Sequence, residues 1–144
     1  MTDRLGRLDD VRRQLAERLA ALENDPDANE RGGDATWSLK DVYAHIARWD
    51  EHAKAILDAR DRGEPMLDDD YRLLNAKWVA EDEELSLEDG RERFERSFRD
   101  FRAALAAIDA SRWDAGTQEL VDSTIEHYED HLRAPLEFEV APGG

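Results

Sequence analysis

Cysteine is absent from the 144-residue chain, and this absence removes several kinds of chemistry at once. Without cysteine there can be no disulfide, no zinc site built from thiolates and no cysteine nucleophile. No apolar run is long enough to span a bilayer, and the amino terminus lacks the apolar stretch of a signal peptide. The sequence therefore predicts a soluble cytoplasmic protein, and any thiol that it uses has to come from another molecule.

Positive charge is also scarce, with 20 basic residues against 36 acidic ones and a formal net charge of −16. Such a surface repels the phosphates of nucleic acids and the headgroups of anionic membranes. We therefore expect neither a nucleic acid nor a membrane as a partner, and a small molecule as the substrate. The same acidic surplus attracts divalent cations weakly and without specificity, so bound metal alone would not establish a metal site.

Helical periodicity dominates the chain, and no segment shows the alternating pattern of a strand. Apolar residues recur at intervals of three and four in four long segments and in a shorter one over residues 71–83. Loops are predicted around Gly32 and over residues 66–70. The pattern predicts one all-α domain over residues 1–144, with residues 135–144 as a tail. Its predicted architecture is a four-helix bundle with a short extra helix between the second and third long helices.

Local signals predict where these helices begin and end. Ser38 and Asp41 have the spacing of a capping box at the start of the second helix, and Ser86 opens the third long helix. Gly63 suits the C-terminal cap of the second helix, and Pro135 should end the last one. The predicted boundaries therefore rest on residues within a few positions of each end.

His127 and His131 are the most informative pair in the chain because they lie four residues apart in a segment predicted to be helical. On a helix this spacing places two imidazoles on one face, about 6 Å apart at Cβ. Both can then bind one metal ion if another helix supplies a further ligand. His45 and His52 of the second helix are the candidates, and periodicity does not decide between them. They lie roughly 10 Å apart along the helix axis, so one ion cannot bind both.

The helical wheel places these histidines beside the apolar stripes rather than at their centres. With Val121 as the reference, His131 and His127 lie roughly 80° and 120° round the last helix. His45 lies about 60° from Val42 on the second helix. We therefore expect a site at one mouth of the bundle, where the ligands reach water. The alternative is that these are ordinary surface histidines, since an HxxxH pair arises by chance in many helices.

The residues around these histidines resemble a known group of proteins. WSLKDVYAHIARWDE at residues 37–51, with the later HxxxH at 127–131, resembles the DinB superfamily of four-helix bundles. That superfamily includes thiol-dependent transferases and maleylpyruvate isomerase-like proteins. YRLLNAKW at residues 71–78, followed by LSLE at 85–88, further resembles its ClbS/DfsB branch. The resemblance covers roughly residues 5–135.

The resemblance implies a metal site formed by His45, His127 and His131, with His52 outside it. Three neutral imidazoles leave at least one position of a divalent ion open, as in catalytic sites. Zinc, nickel and iron all suit such ligands. The ion could activate a water molecule or a low-molecular-weight thiol, and in a chain without cysteine that thiol would be a cosubstrate.

A substrate pocket is expected next to this site. Trp49 lies one turn beyond His45, and it either forms a wall of the pocket or packs in the core. Tyr71, Asn75 and Trp78 of the short helix are placed to cover the mouth of the pocket. Asn75 is the residue expected to orient a substrate.

These features together predict a metal-dependent enzyme that transfers a low-molecular-weight thiol to a small electrophilic compound, or hydrolyses such a compound. The resemblance implies detoxification or stress defence as the context. One alternative is a non-catalytic bundle that binds or sequesters a small molecule. Another is a structural dimer whose histidines hold adventitious metal. The sequence leaves open the substrate, the metal and the choice between a monomer and a homodimer.

Overall fold

A computed structural model describes residues 2–30, 37–64 and 71–136 of the chain. Within these ranges the chain forms five α-helices and no strand. The helices are α1 (Thr2–Leu22), α2 (Leu39–Asp61), α3 (Tyr71–Glu81), α4 (Leu87–Ala106) and α5 (Ala115–Arg133). Four of them have 19 to 23 residues, and α3 has 11. The prediction of an all-helical bundle is therefore confirmed for the described residues.

Some of the predicted features fall outside these ranges. They are the loop around Gly32, the loop over residues 66–70 and the tail from residue 137 onwards. The side chain of Tyr71 also lies outside the described part, so its place at the mouth of a pocket stays a prediction.

The ends of the helices agree with the local signals in the sequence. The Ser38 hydroxyl accepts a 3.2 Å hydrogen bond from the Asp41 backbone N–H, and the Asp41 carboxylate accepts one of 3.2 Å from the Ser38 N–H. This is the predicted capping box. Ser86 caps α4 through the Asp89 N–H. Gly63 follows α2 with a φ of 70°, a conformation that glycine adopts without steric cost.

The long helices pack as two pairs, α1 along α5 and α2 along α4, while α3 lies against α2. Their apolar stripes meet in one core that includes Leu8, Leu15, Ile46, Phe101 and Val121. The two pairs face each other across this core. Because α2 and α5 belong to different pairs, they approach each other closely over only a short stretch.

Charged side chains cover the outer faces of the helices, and many of them form ion pairs between neighbouring helices. Arg102 of α4, for example, donates hydrogen bonds to both carboxylate oxygens of Asp9 on α1, at 2.8 and 3.2 Å. Such partly exposed pairs typically contribute only about 0–1 kcal/mol each. No helix in the described ranges is both long and apolar enough to cross a membrane.

Candidate metal centre

Three histidine side chains converge where α2 faces α5. The Nε2 atom of His127 lies 3.2 Å from that of His45 and 3.1 Å from that of His131. The ligand nitrogens of all three lie within 4.8 Å of one another. The structure therefore brings together the three histidines that the family resemblance implies as ligands.

Local structure at the start of α2 and the end of α5 holds these rings in place. The indole of Trp37 meets the ring of His45 edge to face, with 4.5 Å between the ring centroids. The backbone N–H of Trp37 also donates a 2.7 Å hydrogen bond to the carbonyl of Leu136, which joins the two segments. The carbonyl oxygen of Pro135 lies 3.5 Å from Nδ1 of His131. Because a carbonyl can only accept, this contact favours a proton on Nδ1 and leaves the lone pair of Nε2 directed towards the cluster.

The histidines are buried, so the prediction of a site whose ligands reach water is wrong. The exposed fraction is 4% for His45, 4% for His127 and 1% for His131. The physical reason is aromatic cover from α2 and the residue before its cap. Trp37 lies against His45, and the ring centroid of Trp49 lies 6.5 Å from that of His127. The burial also rules out the alternative of ordinary surface histidines.

Burial lowers the pKa of all three histidines because it disfavours the charged imidazolium. The pKa values of His45 and His127 lie well below the ordinary 6.5, and the neighbouring groups lower them further. Burial lowers the pKa of His131 to about 4, although the Pro135 carbonyl opposes the shift. All three rings are therefore neutral at pH 7, which is the state that binds metal.

We expect the metal-free protein to lose stability as the pH falls from about 6.5 towards 4. In this window the histidines of the unfolded chain bind protons, whereas the buried histidines of the folded chain stay neutral. The free energy of unfolding therefore falls as the pH falls. For His131 the shift from about 6.5 to about 4 corresponds to about 3 kcal/mol. Urea unfolding at a series of pH values measures the effect. The free energy of unfolding of a His131→Gln variant should depend less on pH. An unchanged dependence would contradict the lowered pKa of His131.

The donor set fits a metal ion better than it fits hydrogen bonding among the rings. Nε2 of a neutral histidine carries either one proton or one lone pair, so it forms a good hydrogen bond with only one partner. Nε2 of His127 nevertheless lies close to two other Nε2 atoms. An ion bound tetrahedrally at about 2.0–2.1 Å would hold pairs of nitrogens about 3.3 Å apart. The observed 3.1 and 3.2 Å are close to that spacing. The cluster can therefore hold a divalent metal ion.

His52 lies apart from this cluster, as the resemblance implies. Its ring packs against Trp49 and Trp78, with centroid distances of 5.4 and 5.9 Å. Nε1 of Trp49 donates a 2.9 Å hydrogen bond to Oδ1 of Asn75. The rings of Trp49 and Trp78 meet edge to face at 5.0 Å. These side chains form a half-buried layer where α2 meets α3.

A small pocket lies beside the cluster, between α2 and α3. It is lined by Asp41, Ala44, His45, Asn75, Trp78, Val79 and Asp82. Asn75 and Trp78, two of the predicted pocket residues, therefore line it. Trp49, a third, donates a hydrogen bond to Asn75. The structure places these side chains next to the cluster, and their role towards a substrate stays a prediction.

Close to the cluster lies a buried polar network that the sequence patterns did not predict. The carboxylate of Asp50 accepts hydrogen bonds from Nη1 of Arg12 at 2.9 Å and from the hydroxyl of Tyr128 at 2.5 Å. A signal for it was present in the sequence. Arg12 lies four residues after Leu8, and Asp50 lies four residues after Ile46, so both charged residues occupy positions of apolar stripes.

Comparison with known proteins identifies one family for the chain. The family model for the mycothiol maleylpyruvate isomerase N-terminal domain matches residues 8–136. No curated protein and no solved structure shows significant similarity to the chain. The match confirms the resemblance to the DinB superfamily, whose members bind metal, while the ClbS/DfsB branch stays a prediction. The chain therefore belongs to the mycothiol maleylpyruvate isomerase N-terminal domain family, a part of the DinB-like superfamily.

Proposed function

We propose that this protein is a metal-dependent enzyme in which His45, His127 and His131 bind one divalent ion. The observation that carries the proposal is the convergence of three neutral, buried Nε2 atoms in a member of a metal-binding superfamily. Three protein ligands leave a fourth position open, which is typical of catalytic rather than structural sites. Zinc is the ion that we favour, and nickel and iron also suit these donors. In this proposal the four long helices form a four-helix bundle of the DinB type, with α3 as an addition.

The reaction that we propose is the transfer of a low-molecular-weight thiol to a small electrophile. Because the chain has no cysteine, the thiol has to be a second substrate. The name of the family points to mycothiol as that thiol. When bound, a divalent ion favours the thiolate, the stronger nucleophile, over the thiol. The sulfur forms a bond to an electron-poor carbon, and the thiol proton ends either on the adduct or with the displaced group.

The residues of the chain shield and orient the groups that this chemistry needs. Trp37 and Trp49 shield the rings from water on two sides. The carbonyl of Pro135 orients His131 so that its Nε2 is free to bind the ion. Asn75 lines the neighbouring pocket and presents an amide that can orient a polar substrate.

The test is an assay of protein purified without an affinity tag and loaded with zinc. Incubation with mycothiol and a panel of small electrophiles should yield S-conjugates, detected by mass spectrometry. Product formation should stop after treatment with a chelator and resume when zinc is added back. Stoichiometric zinc without turnover in any thiol or hydrolysis assay would contradict an enzyme and favour a binding role.

Hydrolysis of the same electrophile is the second candidate. The observation that favours it is the same donor set, because an open position on such an ion also accepts water and lowers its pKa. Running the assay without thiol separates the two reactions. Product that forms at the same rate with and without thiol would favour the hydrolase.

A further inference from the structure

The register between α2 and α5 decides whether the three histidines meet. These helices belong to different pairs and approach each other over a short stretch. Neutral imidazoles attract one another weakly, and without a cation only one of the two short Nε2 contacts can be a good hydrogen bond. Other interactions between the same parts of the chain therefore have to set their register, and the hydrogen bond between Asp50 and Tyr128 is the one nearest to the cluster in the sequence of α5.

The carboxylate of Asp50 joins all four long helices. Asp50 lies on α2 and accepts hydrogen bonds from Tyr128 of α5 at 2.5 Å and from Arg12 of α1 at 2.9 Å. The hydroxyl of Ser97, on α4, lies 3.4 Å from the same carboxylate. Arg12 also donates a 2.6 Å hydrogen bond to the carbonyl of Phe94 on α4. All of these side chains are buried, so water does not compete for their hydrogen bonds.

Tyr128 connects this network to the cluster because it directly follows His127 and precedes His131 by three residues. One helical residue corresponds to about 100° of rotation and about 1.5 Å of rise. A fixed Tyr128 hydroxyl therefore sets the angle and the height at which α5 presents its two rings. On α2, Asp50 follows His45 by five residues, so the two contacts with α5 lie about 7.5 Å apart along the axis. Two separated contacts oppose both rotation and sliding.

The network also keeps net charge away from the cluster. The Arg12 guanidinium lies 4.8 Å from the ring centroid of Tyr128, which directly follows His127, and an unpaired cation there would repel a divalent ion. The Asp50 carboxylate neutralises that charge at 2.9 Å.

We propose that Asp50 and Tyr128 are positioning residues of the metal centre. Their hydrogen bond holds the two histidines of α5 against His45 before an ion binds. The residues act through the histidines and not by touching a substrate. The inference rests on the proposed function for its metal-binding readout, and a metal-free readout tests it independently.

Tyr128→Phe and Ser97→Ala form a matched pair for the test. Each removes one buried hydroxyl near the Asp50 carboxylate, at 2.5 Å for Tyr128 and 3.4 Å for Ser97, but only Tyr128 lies on a helix that carries cluster histidines. Competition with a chromogenic chelator should show zinc binding that is about tenfold weaker in Tyr128→Phe, the lower end of what the loss of a direct hydrogen-bond partner of a metal ligand costs. Zinc binding by Ser97→Ala should stay close to that of the wild type. Urea unfolding of the metal-free variants shows whether both remain folded.

The metal-free readout is long-range proton–nitrogen NMR of the histidine rings. Tyr128→Phe should shift the ring-nitrogen signals of His127 and His131, whereas Ser97→Ala should leave them in place. Unchanged signals in Tyr128→Phe, or equal changes in both variants, would overturn the positioning role. A wild-type protein that does not bind zinc would overturn the proposed function instead, and the ring signals would still decide the positioning role.

Discussion

Replacing His127 and His131 together by alanine should abolish specific zinc binding, because it leaves His45 as the only nitrogen of the cluster. The expected loss of affinity exceeds about a hundredfold, the upper end of what the loss of a mere outer partner costs. Metal analysis of untagged, dialysed protein measures the stoichiometry. Titration against a competing chelator measures the affinity. The wild type should retain one zinc ion per chain and the double variant none.

His52→Ala is the matched control for this experiment. His52 lies on α2, as His45 does, but its ring packs against Trp49 and Trp78 and not in the cluster. The control should bind zinc as the wild type does. A net charge of −16 attracts divalent cations without specificity, so specific binding has to be separated from this background. The control shows whether the loss of zinc depends on removing histidines of the cluster. One zinc ion per chain in the double variant would show that the cluster is not the binding site.

Replacing Asp50 by asparagine should lower the free energy of unfolding by about 3–5 kcal/mol, because it leaves the Arg12 cation buried without a carboxylate. The guanidinium stacks on the ring of Phe94 at 3.6 Å and cannot turn towards water without disturbing the core. The free energy of unfolding of a typical domain is roughly 5–15 kcal/mol, so a loss of this size is a large part of it. Urea unfolding of the metal-free protein at pH 7 measures it.

Asp9→Asn provides the comparison on the surface. Like Asp50→Asn, it takes the carboxylate away from an arginine that it pairs with, here Arg102 at 2.8 Å. The side chains of Arg102 and Asp9 are 28% and 47% exposed, however, whereas the Arg12–Asp50 pair is buried. The expected loss is about 0–1 kcal/mol, because water solvates the arginine that remains. Similar losses in the two variants would mean that the buried network does not hold the helices together.

The helices could be predicted from the sequence because their signals are local. The Ser38–Asp41 capping box and the Ser86 cap involve residues three positions apart, and each apolar stripe repeats within one helix. The pairing of α1 with α5 was not predictable in this way. It depends on contacts between residues far apart in the sequence, such as the Arg4–Asp122 ion pair, and periodicity within a helix carries no information on them.

The candidate site was predictable only in part, for the same reason. The common face of His127 and His131 follows from a four-residue spacing within one helix. The choice of His45 over His52 required the family resemblance, because both lie on nearly the same stripe of α2. Periodicity describes each helix alone and does not show which residue of another helix lies opposite.

Burial of the cluster and its polar network depend on contacts between different parts of the chain. The helical wheel places the histidines beside a stripe, but it does not show that Trp37 and Trp49 cover their rings. Arg12 and Asp50 each look unfavourable on an apolar stripe when considered alone. Together they form a neutral buried pair, and only the fold shows that they are partners.

Zinc X-ray absorption spectroscopy of the loaded protein tests the three-histidine centre most directly. Our interpretation predicts three imidazole nitrogens at about 2.0–2.1 Å and one further light ligand, which a low-molecular-weight thiol should replace with sulfur at about 2.3 Å. A shell of oxygen ligands without imidazole scattering would contradict the proposed centre.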